Sequence, residues 1–151
     1  MINLEKELIE LNKIKYLKNE AEIKRFDEIL INIYKYKDKI PLSRLYTVFD
    51  DNTEDDEVMY GLIHLIEEFP PEVEIEEFIK SINLMVPNAK EWAKLLLIRI
   101  LNYKDCRNLF INIISNYKKN NLIINKLLLE IKNEDINLFG KVVDTIISKT
   151  K

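Results

Sequence analysis

Apolar residues recur at three- and four-residue spacing along almost the whole chain, the period of helices with one buried face. Leu4, Leu8, Leu11 and Ile14 predict a first helix over 4–18, and Ile23, Phe26, Leu30 and Ile33 a second over 20–36. Pro41 ends the connection to a shorter helix carrying Leu42, Leu45, Tyr46 and Phe49. Thr53 reads as the N-cap of the next helix, because Glu54, Asp55, Asp56 and Glu57 follow it and acids suit a helix N-terminus. That helix runs to Phe69, where Pro70-Pro71 stops it and starts another carrying Val73, Ile75, Phe78, Ile79 and Ile82. Pro87-Asn88 marks a further break, with Asn88 and Glu91 spaced as a capping box. The helix beyond it is apolar almost all round from Trp92 to Leu101, which predicts a central position. Three more segments follow, over about 105–117, 121–132 and 135–149.

From residue 53 onward these helices fall into pairs over 53–84, 88–117 and 121–149, with no motif shared between pairs. The predicted architecture is all-α and a single domain over 1–151. Its roughly eight or nine helices form antiparallel pairs, stacked as a HEAT-like α-solenoid or packed as an irregular helical bundle. Only 2 glycines and 4 prolines occur, too few for the turns and bulges that sheets require. The length, with 47% hydrophobic residues, supports one core without covalent staples. Cys106 is the one cysteine, so no internal disulfide forms, and a lone thiol points to a reducing compartment. The N-terminal residues lack a signal-peptide pattern and no apolar run approaches the ~20 residues that span a bilayer. The expected location is cytoplasmic, with no membrane partner.

Charge changes the picture. The net charge is only −3, yet no Lys or Arg occurs between Arg44 and Lys80. That stretch holds 12 acids: Asp50, Asp51, Glu54, Asp55, Asp56, Glu57, Glu67, Glu68, Glu72, Glu74, Glu76 and Glu77. The helix dipole accounts for those in first turns, each stabilised by roughly 0.3–1 kcal/mol. It disfavours Glu67 and Glu68 in a last turn, so repulsion there calls for a compensating gain. On a helical wheel of 57–69, Val58, Met59, Leu62, Leu65, Ile66 and Phe69 share one side. Glu57, Tyr60, Gly61, His64, Glu67 and Glu68 share the other, with the glycine open to close approach. An acidic face bearing an aromatic ring and an imidazole suits a basic partner. The predicted contact residues are Asp50, Asp51, Glu54, Asp55, Glu57, Tyr60, His64, Glu67, Glu68, Glu72 and Glu74. Arg99 lies on the side of its helix shared with Trp92 and Leu95, and a structural ion pair with Glu67 or Glu68 is expected for it. Trp92 reads as core.

Catalytic patterns are missing. The single His64 and single Cys106 are far apart in sequence, and two isolated glycines exclude the P-loop, the G-x-S-x-G elbow and the dinucleotide fingerprint. One His and one Cys cannot build a zinc site. A calcium loop starting at Asp50 fails, because Asp55 takes its glycine position and Gly61 its bidentate glutamate position. No cofactor, no metal and no enzymatic activity are expected. The lysines outside the acidic stretch are scattered among acids, which argues against nucleic-acid binding.

The run Tyr60-Gly61-Leu62-Ile63-His64-Leu65-Ile66-Glu67-Glu68-Phe69, followed by Glu91-Trp92-Ala93-Lys94-Leu95-Leu96-Leu97-Ile98-Arg99-Ile100-Leu101-Asn102, resembles the helical immunity proteins of bacterial polymorphic toxin systems. The closest type is immunity protein family thirty, over roughly residues 45–115, with His64, Glu68, Trp92, Arg99 and Asn102 matching its pattern. The resemblance implies a protein, monomeric or weakly dimeric, that binds a cognate toxin domain in contact-dependent inhibition and blocks its active site or substrate groove. Many such toxins are nucleases with basic clefts, which an acidic face imitating a phosphate backbone would fit. The alternatives left by the residues themselves are a helical-repeat adaptor that recruits another protein and, more remotely, an enzyme using His64 with neighbouring glutamates.

Overall fold

The computed structural model describes residues 2–150. They form α1 (Leu4–Lys13), α2 (Glu20–Lys35), α3 (Ser43–Tyr46), α4 (Asp56–Ile66), α5 (Pro71–Leu101), α6 (Lys104–Ile114), α7 (Lys118–Glu134) and α8 (Ile136–Lys149). A 3-10 turn, Lys37–Lys39, links α2 to α3, and no strand occurs among the described residues. The periodic apolar positions meet in one core that takes in Phe26, Ile33, Phe49, Met59, Phe78 and Phe110. All six are fully or almost fully buried.

The first helix is shorter than its apolar pattern. α1 closes at Ile14, and the chain turns so that Leu17 takes φ 53° and buries its side chain. A left-handed backbone at a leucine is strained, and burial of the side chain offsets that cost. Asn19 then caps α2 by accepting from the Glu22 amide at 2.9 Å.

The cap of α4 is Asp55, which accepts from the Val58 amide at 3.1 Å, and not Thr53. The Thr53 hydroxyl donates instead to the Lys15 carbonyl at 2.9 Å, and the Glu54 amide donates to the Tyr16 carbonyl at 2.9 Å. The segment before α4 is thereby pinned to the end of α1, a tertiary use of a residue that local pattern assigns to capping.

α5 is broken at Ala89, which has φ −142° and ψ 42°. The chain reverses there. Phe78 and Leu96 line the same cavity, whereas a straight helix would separate them by about 27 Å. The break expected at Pro87-Asn88 is therefore real, and α5 consists of two arms, 71–88 and 90–101. The capping box is replaced. The Glu91 and Trp92 amides donate to the Asp51 carboxylate at 3.1 and 3.4 Å, and the Asp51 amide donates to the Asn88 carbonyl at 2.8 Å. Asp51, distant in sequence, thus closes the N-terminus of the second arm.

α7 is held against both arms. Asn120 donates to the Ile79 carbonyl, and the buried Lys94 ammonium is paired with Glu134 near the end of α7. Among the described residues no helix is long and apolar enough to cross a membrane.

Candidate functional site

Parallel alignment of α4 with the second arm of α5 brings the acidic segment against the tryptophan helix. Tyr60 meets Trp92 edge-on, ring centroids 5.8 Å apart, and Phe49 also packs against the indole, at 5.7 Å. The indole N–H donates to the Asp50 carbonyl at 3.0 Å. Above these rings lies a groove of about 220 Å³ lined by Asp51, Asp56, Tyr60, Glu91, Trp92 and Leu95. Three carboxylates therefore surround an aromatic floor. Asp51 is engaged in capping, Glu91 lies 3.4 Å from the Lys94 ammonium, and Asp56 is exposed. Carboxylates beside an aromatic floor are chemically suited to an ammonium or guanidinium group.

The structure sorts the sequence-predicted contact residues. Glu54, Glu57, His64, Glu68 and Glu72 are exposed, and none has a Lys or Arg partner within 4.0 Å among the described residues. Asp55 is half-buried and spent on the α4 cap. Asp50 departs from expectation. It is buried, accepts from the Tyr16 hydroxyl at 3.2 Å and from the Asn52 amide at 2.9 Å, and lies 3.6 Å from the Lys15 ammonium. It holds the loop before α4. Gly61 also turns inward. A Cβ there would sit 3.2 Å from Leu30 Cδ1, so the glycine lets α2 approach α4. Sequence pattern missed Glu91 and Leu95 because they lie beyond the acidic stretch, and it placed Trp92 only in the core.

A second concavity, of about 240 Å³, lies at the other end of α4. There Arg99 makes two hydrogen bonds to Glu67, Nη2 to Oε1 at 2.7 Å and Nε to Oε2 at 2.8 Å. This bidentate ion pair ties the end of α4 to the second arm. Glu74 enters the same space from the first arm. Burial, and next the negative charge of Glu67, raise its pKa to about 7, with Arg99 opposing. Folding therefore favours protonated Glu74, and this contribution is present below the ordinary carboxylate range and lost as pH rises through about 7. Glu74→Gln should raise stability at pH 8 by about 1–2 kcal/mol, a value reduced for partial solvent access, and by almost nothing at pH 4. Urea melts of both proteins at the two pH values check this. An unchanged difference between them would disprove it.

Cys106 borders this second cavity, and burial followed by the charge of Glu74 pushes its thiol up. A thiol held protonated is a poor nucleophile. His64 is exposed and does not line the cavity. Among the described residues no group of three His, Cys, Asp or Glu side chains is placed to hold a metal ion.

No curated protein and no solved structure shows significant similarity to the chain. The family model described as Immunity protein 30 matches residues 13–110, well over half of the sequence, and takes in α2 to α5, the acidic stretch and the tryptophan helix. With these residues folded together around Trp92, the chain belongs to the Immunity protein 30 family, and its role is that of an immunity protein directed against a toxin.

Proposed function

We propose that this protein neutralises its toxin stoichiometrically, by laying the carboxylate-rich ridge of α4 and the adjoining groove over a basic cleft of a nuclease domain. It acts in the cytoplasm, as a monomer or weak dimer, and performs no chemistry of its own. The observation that carries this reading is the row Glu54, Asp56, Glu57, Glu68 and Glu72, all exposed and without a cationic partner within 4.0 Å among the described residues. Five unpaired carboxylates along one ridge build a negative potential, and a cationic partner neutralises it on binding. Their field also speeds encounter with a basic surface and disfavours acidic competitors. Tyr60 and Trp92 supply an aromatic platform between the charges, as binding hot spots commonly do.

Charge reversal tests it. Asp56 and Glu57 are exposed, so Asp56→Lys with Glu57→Lys should cost the fold only about 1–3 kcal/mol, from reversing two charges at the helix dipole. Affinity for the cognate toxin domain should fall about a hundredfold or more, and protection of cells expressing that toxin should fail with it. Wild-type affinity should also drop steeply with salt. If the reversed variant binds and protects as wild type does, the ridge is not the inhibitory surface.

A further inference from the structure

The cavity beside the Glu67–Arg99 pair has features that fold stability does not require. It opens where α3, the end of α4, both arms of α5 and α6 meet, and the rings of Tyr46, Phe69, Phe78 and Tyr103 contribute to its walls. Its polar groups are unevenly matched. The Arg99 guanidinium is committed to Glu67 through two hydrogen bonds. The Tyr46 hydroxyl donates to the backbone carbonyl of Glu74 at 3.0 Å and leaves the carboxylate alone. Among the described residues the Glu74 carboxylate receives no hydrogen bond and no ion pair, although it is half-buried. A half-buried carboxylate without a protein donor depends on the solvent that reaches it, and a cationic donor from a partner can take that place.

We propose that this cavity is an anchor pocket for one arginine or lysine side chain of the bound toxin. The proposal rests on the reading that the toxin surface is basic. The alkyl stem of such a side chain packs along Phe69, Phe78 and Leu96, and its head donates to Glu74 and lies against the Tyr103 ring. Arg99 does not repel it strongly, because Glu67 neutralises the guanidinium in place. A metal ion is a poorer occupant, since calcium or magnesium needs about six oxygen ligands and only one carboxylate here is uncommitted. The pocket lies beyond the last turn of α4, and the aromatic groove lies at its start. A toxin spanning the acidic ridge would be held at both ends.

Agmatine, the arginine side chain with a primary amine in place of the backbone, is the probe. Titrated at pH 8 into the full-length ¹⁵N-labelled protein, it should give saturable shifts of the Glu74, Arg99 and Cys106 amides. Glu74→Gln keeps the side-chain shape and should weaken agmatine at least about tenfold, the loss of one charge-assisted hydrogen bond. n-Pentanol, which has an alkyl chain and a hydroxyl but no charge, should not shift these amides. Absence of the shifts in wild type, equal agmatine affinity in Glu74→Gln, or equal shifts from n-pentanol would each overturn the proposal. The titration contains no toxin, so its failure leaves the acidic-ridge reading intact. Failure of the charge-reversal experiment removes the basic partner without changing what agmatine does.

Discussion

Trp92→Ala should lower the unfolding free energy by about 3–5 kcal/mol, among the largest single losses available in this chain. The indole is only 7% exposed and packs against the rings of Phe49 and Tyr60. Its removal leaves a void that neither ring can fill without moving α4 or the segment before it. The indole N–H to the Asp50 carbonyl is lost as well, and a buried carbonyl without a donor adds about 1 kcal/mol or more. Trp92→Phe separates the two contributions. It keeps most of the ring stacking, forfeits the N–H, and should cost about 1–2 kcal/mol. Urea melts followed by far-UV circular dichroism give both numbers, since the only tryptophan is removed and fluorescence goes with it. A loss under 1 kcal/mol for the alanine variant would show that Trp92 is not a keystone of the α4–α5 contact. Stability and binding diverge at this residue, because the same ring floors the groove. Trp92→Phe should therefore weaken toxin binding more than its modest destabilisation accounts for.

Much of this arrangement is legible in the sequence, and the parts that are not share one cause. Apolar spacing reveals the helices because each must bury a stripe, and Pro70-Pro71 marks its boundary because proline's ring sterics and missing N–H act locally. Caps and loop contacts depend on residues far apart along the chain. Asp51 closes the arm beginning at 90, and Thr53 serves the Lys15 carbonyl. Local pattern gave the cap of that arm to Asn88 and made Thr53 the cap of α4, which Asp55 supplies, since a capping sequence looks the same whether or not another carboxylate supplies the cap. The acidic run shows that charge is concentrated but not which acids the fold consumes. Asp50, Asp51 and Asp55 are engaged inside the loop and caps, and Glu67 is taken by Arg99. Glu54, Asp56, Glu57, Glu68 and Glu72 remain facing solvent. The polar side of the α4 wheel divides in the same way: Gly61 accommodates α2, and His64 faces outward. Mutations along the acidic stretch should accordingly separate into those that lower stability and those that lower binding.

Arg25→Ala should cost about 2–4 kcal/mol, and the reason lies in what it strands. Glu7 is buried under the α1–α2 contact, where its carboxylate accepts from Arg25 at 2.6 Å and from the Asn32 side chain at 2.8 Å. Arg25 also holds the more exposed Glu10 through two hydrogen bonds at 2.8 and 2.9 Å. Removing the guanidinium leaves the Glu7 charge with one neutral donor in a poorly solvated site, and a buried charge without its counterion is among the costliest single defects. Access of water to Arg25, whose side chain is about one-third exposed, keeps the loss below that of a fully enclosed pair. The double variant Glu7→Met with Arg25→Met distinguishes a stranded charge from a lost attraction. Apolar replacement of both members removes the desolvation cost together with the pair, so it should recover at least half of the deficit of Arg25→Ala. Urea midpoints of the single and double variants decide the matter. If the double variant is as unstable as the single one, the attraction itself, and not burial of an unpaired Glu7, holds α1 against α2. Arg25 pairs with Glu7, Glu10 and Glu28 and with none of the exposed acids of the ridge, so toxin binding by folded Arg25→Ala protein should equal wild type.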